Sequence, residues 1–153
     1  MITYTKGDMF KRNGSDKVFV HACNAKGVWG AGIALQFKRY YPLAYRIYSH
    51  WCEINKHKVV GKCLLINDSG VLIGCLVTSN GYGARKDSED RILRATYQSV
   101  IDLIQQMSSW KTIVSPKINN GYFGIPWEKT EQSINQAIQQ SGEQVMWNVY
   151  DLQ

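Results

Sequence analysis

Several large protein classes are excluded by what this chain lacks. No apolar run approaches the roughly 18 residues that a membrane span requires, and residues 1–10 hold no apolar segment followed by a small-residue cleavage site, so neither a membrane anchor nor a secretory signal is expected. The expectation is a soluble protein of the cytoplasm, with the nucleus as a second compartment. There are four cysteines, Cys23, Cys52, Cys63 and Cys75, and no CxxC pair among them. That scatter suits buried thiols in a reducing compartment better than a disulfide framework. His21, His50 and His57 do not fall at zinc-ligand spacing from these cysteines, and no acidic cluster could hold a metal pair, so neither metal nor cofactor is expected. Acidic residues are outnumbered 12 to 18, a net charge of +6, but the basic residues form no stripe with interleaved aromatics and match no nucleic-acid motif. Solvated surface charge is the simpler account, and it would also attract a small polyanion. The sequon at Asn13-Gly14-Ser15 reads as a chance match in a turn. Repeats, low-complexity segments and linkers are absent too.

What remains is one globular domain of 153 residues, 44% hydrophobic, expected to act as a monomer. Its most informative stretch is residues 18–36, VFVHACNAKGVWGAGIALQ. Val18-Phe19-Val20 reads as a buried strand, the chain turns polar at His21, Cys23 and Asn24, and it tightens at Gly30-Ala31-Gly32. Ile33, Ala34 and Phe37 then recur at helical spacing. A strand, a glycine loop and a helix start aim free amides and a positive dipole end at one point, which suits a phosphate.

Around that stretch, residues 2–5 alternate as a first strand ending at Gly7-Asp8. Asp8 could cap the following turn or accept from an amino group on a base. Pro42 ends the first helix and starts a second, whose stripe of Leu43, Ile47, Tyr48, Trp51 and Ile54 reads as core. Residues 62–66 and 71–78 read as strands joined at Asn67-Asp68-Ser69-Gly70, the second apolar enough to be buried on both faces. After a loop at residues 79–83, Asp87 or Ser88 caps a long helix. A strand at residues 110–115 leads into a second informative loop, residues 116–127, then a helix from Pro126 to about residue 140 and a last strand at residues 144–151. Alternating strands and helices with one hairpin predict an α/β fold, a three-layer α/β/α sandwich on a mixed, mostly parallel sheet. Ligands in such sheets bind beyond the carboxyl ends of the strands. Three polar or glycine-rich segments, at residues 7–8, 21–32 and 119–124, all follow strands.

These residues resemble the macrodomain family, which binds ADP-ribose. The resemblance covers essentially the whole chain and rests on Gly7-Asp8, on Val20-His21-Ala22-Cys23-Asn24 leading to Gly30-Ala31-Gly32, and on Asn120-Gly121-Tyr122-Phe123-Gly124-Ile125-Pro126. Within the family the chain is similar to the small fungal-type ADP-ribose 1''-phosphate phosphatases, through His21, Asn119-Asn120-Gly121, Pro126-Trp127 and the short lead into Gly7-Asp8. A related subgroup removes ADP-ribose from glutamate with a lysine and an aspartate, where this chain holds Ser79 and Phe123. The resemblance implies that Asp8, with the Met9 amide and Gly7 beside it, receives the adenine, and that Ala22 and Asn24 hold the distal ribose. It implies that Gly30, Ala31, Gly32 and Ile33 wrap the diphosphate on one side, and Asn120, Gly121, Tyr122, Phe123 and Gly124 on the other. Cys23, Trp29, Ala34, Ile118 and Asn119 are further cleft positions on the same motifs.

The expected ligand is therefore ADP-ribose or its 1''-phosphate, with ADP-ribosylated proteins as further partners and neither nucleic acid nor membrane. The expected reaction is metal-independent release of phosphate, with oriented loop amides stabilising the phosphoryl oxygens. His21, whose ordinary pKa lies near neutrality, is the candidate proton-transfer residue, with Asn24 as its catalytic partner. A half-buried histidine bonded to a backbone carbonyl is the alternative reading of His21. Asn119 or Asn120 could position water, and Cys23 has no activating neighbour except His21. A binding module without chemistry and a hydrolase acting on modified proteins are the competing functions.

Overall fold

In the computed structural model, which describes residues 1–11 and 14–151, the strand singled out first is the spine of the molecule. β2 (Lys17–Asn24) lies between β4 (Val71–Ser79) and β5 (Thr112–Ser115), parallel to both. With a neighbour on each side and helices on each face, it is apolar in both directions. Phe19 and Cys23 pack with one helical layer, Val18 and Val20 with the other. Beyond β5 the sheet continues, still parallel, with β6 (Trp147–Asp151) and β1 (Ile2–Lys6). β3 (Cys63–Asp68) closes the other edge as the antiparallel hairpin partner of β4, giving the order β1-β6-β5-β2-β4-β3.

Phe37 of α1 (Gly32–Tyr40) and Ala44, Tyr48 and Cys52 of α2 (Pro42–Asn55) cover one face. α3 (Glu89–Gln106) and α4 (Trp127–Ser141) cover the other with Val100, Leu103, Ile134 and Ala137. This is the three-layer sandwich read from the alternation of elements. No helix among the described residues is long and apolar enough to cross a membrane.

Four expectations change in detail. The buried stripe of α2 is Ala44, Tyr48 and Cys52, whereas Leu43, Ile47 and Ile54 are exposed. Ser88, not Asp87, caps α3, its side chain accepting from the Arg91 amide. Trp110 is exposed in a turn before β5. The last strand begins at Trp147, after an irregular approach from residue 143. Asn13 of the sequon lies outside the described residues.

Candidate functional site

A cleft of about 640 Å³ opens at the carboxyl ends of β2, β4 and β5, walled by the three loops that follow these strands. The first wall is the β2–α1 connection. Asn24 folds it: its Oδ1 accepts from the amides of Lys26 and Val28, and its Nδ2 donates to the Val28 carbonyl at 2.8 Å. Ala31 precedes α1 without a side-chain cap, so the leading amides of the helix stay available to an anion. Gly32 sits at φ +59°, and a Cβ there would lie 3.0 Å from Cε2 of Tyr122 in the opposite wall. The two glycine loops thus face each other at van der Waals distance, and only glycine satisfies both the backbone and the approach.

The second wall follows β5 and is pinned by Asn119. This buried residue adopts a left-handed conformation, φ 64°, one that asparagine tolerates better than most residues. Its Oδ1 accepts from the Thr78 hydroxyl at 2.8 Å, its Nδ2 donates to Thr96 Oγ1 at 2.9 Å, and its carbonyl accepts from the Ile125 amide. Asn120 bonds the Ile125 carbonyl from outside the cleft. Between these anchors the amides of Gly121, Tyr122 and Phe123 have no partner among the described residues.

The β4–α3 loop supplies a third wall, Tyr82 and Gly83, that the motif reading missed. Only the glycines flanking Tyr82 hinted at it. Ser79 begins this loop fully buried, donating to the Gly81 carbonyl and accepting from the Asp87 amide. Further along, Lys86 Nζ holds the Phe123 carbonyl at 3.1 Å, tying the third wall to the second. Val28, Gln36, Pro116 and Lys117 also line the cleft without having been expected there. Lys117 is its one lysine or arginine among the described residues, 3.4 Å from Asp151.

Of the expected ligand-binding residues, Ala22, Cys23, Asn24, Trp29, Gly30, Ala31, Gly32, Ile33, Ala34, Ile118, Asn119, Gly121, Tyr122 and Phe123 line this one cleft. Gly7, Asp8, Met9, Asn120 and Gly124 do not. Gly7 and Asp8 follow β1, at the sheet edge with β6 and β5 between it and β2, and Asp8 Oδ1 caps the Phe10 amide at 3.0 Å while Met9 is buried. Gly124 turns at φ +66° beside Lys86, outside the cleft.

His21 is the main correction. It is 0% exposed and does not line the cleft. Its ring stacks on Phe37 at 4.0 Å and meets the edge of Trp29 at 4.5 Å. Strand alternation turns Phe19, His21 and Cys23 to the α1 side, and α1 then closes over the imidazole. It adjoins the cleft through Trp29 and through Cys23, whose Sγ is 3.6 and 3.7 Å from the ring nitrogens. Asn24 does line the cleft, but its bonds within the first wall leave it an orienting group rather than a proton acceptor.

The chemistry of the cleft is therefore mostly amides and apolar surface, without a carboxylate or imidazole on its walls among the described residues. Trp29 Nε1, buried in the floor, has no hydrogen-bond partner among the described residues. Behind the floor, His21, Cys23 and Cys75 bring their donor atoms within 4.8 Å of one another, which their spacing in sequence did not predict. Burial pushes the thiols of Cys75 and Cys63 well above the ordinary range, and that of Cys52 to about 11.

The Macro domain family profile matches residues 20–134, and the chain belongs to the macrodomain family. Among particular relatives, it is 37% identical to the ADP-ribose 1''-phosphate phosphatase of Debaryomyces hansenii, over 88% of this chain and 93% of that one. It is 34% identical to the protein of the same name from Candida albicans, over 98% and 99%. Among solved structures, the macrodomain of Mycobacterium tuberculosis DarG superposes with a TM-score of 0.81 at 28% identity, covering 98% of this chain and 97% of that one.

Proposed function

We propose that this protein hydrolyses ADP-ribose 1''-phosphate to ADP-ribose and phosphate, without a metal in the reaction, in the cleft between the two glycine loops. The observation that carries the reading is the approach of Gly32 to Tyr122, which sets two rows of free amides on either side of one groove. Such a groove suits a pyrophosphate, and the fungal relatives are named for this reaction. The α1 amides and those of residues 121–123 would take the diphosphate oxygens, and the first of these lie at a positive helix end. Asn24 would orient the distal ribose with its remaining amide hydrogen, while Asp8 would receive the adenine amino group. Lys117 is the positive charge nearest to hand for the transferred phosphoryl group. His21 acts in this reading through Cys23, as a positioning residue behind the wall, and turnover is modest because no carboxylate or imidazole lines the cleft among the described residues.

Protein-linked ADP-ribose is the alternative occupant of the same cleft, bound with or without cleavage. A reader without chemistry draws its support from the lack of a carboxylate or imidazole on the walls among the described residues. Four buried free thiols support work in a reducing compartment, the cytoplasm with or without the nucleus. We take the monomer as the working state.

The test is phosphate release from ADP-ribose 1''-phosphate beside calorimetric binding of ADP-ribose, for the wild type and Gly32→Ala. Wild type is expected to do both. The added methyl presses on Tyr122 and strains φ, and a tenfold weaker affinity, about 1.4 kcal/mol, is expected. Binding without phosphate release makes the protein a reader, and release of ADP-ribose from a modified protein makes it a de-ADP-ribosylating hydrolase. Absence of binding removes the reading altogether.

A further inference from the structure

We propose that His21, Cys23 and Cys75 form a site for a divalent thiophilic cation of the zinc class, sealed directly behind the cleft floor. The three donors lie within 4.8 Å of one another, and Cys23 Sγ is already 3.6–3.7 Å from the imidazole nitrogens. Bonds of about 2.0–2.3 Å to such a cation set its donors roughly 3.3–4 Å apart. The widest pair would have to close by at most roughly 0.8–1.5 Å.

The sheet, rather than a loop, holds the donors together. His21 and Cys75 are register partners across β2 and β4, and Cys23 follows two residues later on the same face of β2. The imidazole is clamped between Phe37 and Trp29, so its ring plane is set before any cation arrives. Tyr48 and Cys52, hydrogen-bonded to each other, stand beside the thiols from α2. His21 and Cys75 line no part of the cleft, and the site shares with the phosphatase reading only Cys23 of the wall and His21 behind it, taking none of the loop amides and not Lys117.

Charge selects the class of cation. All three donors are buried, and an apolar core tolerates no net charge without compensation. Two thiolates and a neutral imidazole around a divalent cation sum to zero, whereas a monovalent cation would leave one negative charge. Sulfur and imidazole together favour zinc or cadmium over magnesium or calcium, which take oxygen ligands. Cys23 belongs both to the cluster and to the cleft wall, so the cleft is the route in.

The experiment is a titration of the reduced, chelator-stripped protein with Cd²⁺, following the ultraviolet thiolate-to-cadmium absorption, then back-titration with Zn²⁺. A band saturating at one equivalent and displaced by zinc is expected. Cys23→Ala and Cys75→Ala should each halve its amplitude and weaken binding at least tenfold. His21→Phe, which keeps the stack on Phe37, should weaken binding tenfold with the amplitude intact. Cys63→Ala, on the opposite face of the sheet, should leave the titration unchanged. If Cys75→Ala does not fold, Cys23→Ala at the cleft wall carries the test. No saturable band, or one that survives both Cys23→Ala and Cys75→Ala, overturns the proposal. Because the readout is the cation's own absorption, a failed phosphatase assay would not bear on it.

Discussion

Asn119 does the work of a rivet. Its side-chain amide joins β4 through Thr78 and α3 through Thr96, and its backbone carbonyl holds the rest of its own loop through the Ile125 amide. Replacing it with alanine strands the Thr78 hydroxyl, takes a donor from Thr96 Oγ1, which keeps its bond to the Ile92 carbonyl, and puts alanine at φ 64°, costing about 3 kcal/mol in total. Urea denaturation should register that loss, and Asn119→Gly should recover only the backbone part of it. Full stability in Asn119→Ala would mean that the amide network is worth little. The same residue marks a limit of sequence reasoning. Asn119 could be read as a cleft residue, but not as one whose side chain points away from the ligand to Thr78 and Thr96, because those partners are remote in sequence. His21 repeats the lesson. Its place after Val20 was legible, whereas the face it takes is fixed by counting alternation from Phe19 and by Phe37 arriving from α1 to stack on it.

At the scale of elements, α2 shows why periodicity alone can choose the wrong stripe. Apolar or aromatic residues occur all round this helix, at Leu43, Ala44, Tyr45, Ile47, Tyr48, Trp51, Cys52 and Ile54. The pattern therefore does not specify a single face. Two polar tethers do. The Tyr48 hydroxyl donates to the Asn24 carbonyl at 2.6 Å, binding the helix to the end of β2, and the Ala44 amide donates to Asp68 Oδ2 at 3.0 Å. Asp68, buried at the end of β3, caps a helix whose own N-terminal residue offers no side-chain cap. Its charge also opposes the positive end of the helix dipole. Asp68→Ala should cost about 1–2 kcal/mol, and Asp68→Asn roughly half of that, since it keeps an acceptor and loses the charge. Thermal melts of the two variants check this. Equal losses would assign the whole effect to the charge. Because Tyr48 holds Asn24, a loosened α2 should also weaken ADP-ribose binding, linking an element far from the ligand to the first wall of the cleft.

For the whole molecule, parallel strands put every following loop at one end, and that much could be read from the alternation of strand and helix. The strand order could not. It is the order β5-β2-β4 that brings the loops after these three strands around one cleft, and that leaves Gly7-Asp8 two strands away. The same register gathers His21, Cys23 and Cys75, and packing seals all four thiols inside. Sealing has a measurable consequence for folding. Burial raises the Cys52 thiol from 9.0 to about 11, and its effect outweighs that of the Tyr48 hydrogen bond, which acts the other way. Between those two values the unfolded chain loses this proton while the native state keeps it, so the native state binds more protons and stability falls as pH rises. The contribution is complete below pH 9 and gone above about pH 11, a loss of up to about 2.7 kcal/mol from this thiol, or roughly 5–11 °C in Tm. Cys63, also buried and raised, steepens the same descent. Melting curves of the metal-free protein from pH 8 to pH 11 should therefore fall faster for the wild type than for Cys52→Ser, whose hydroxyl does not titrate in this range. Parallel curves would mean that Cys52 ionises as freely in the folded protein as in the unfolded chain, and that the core on the α2 side admits water.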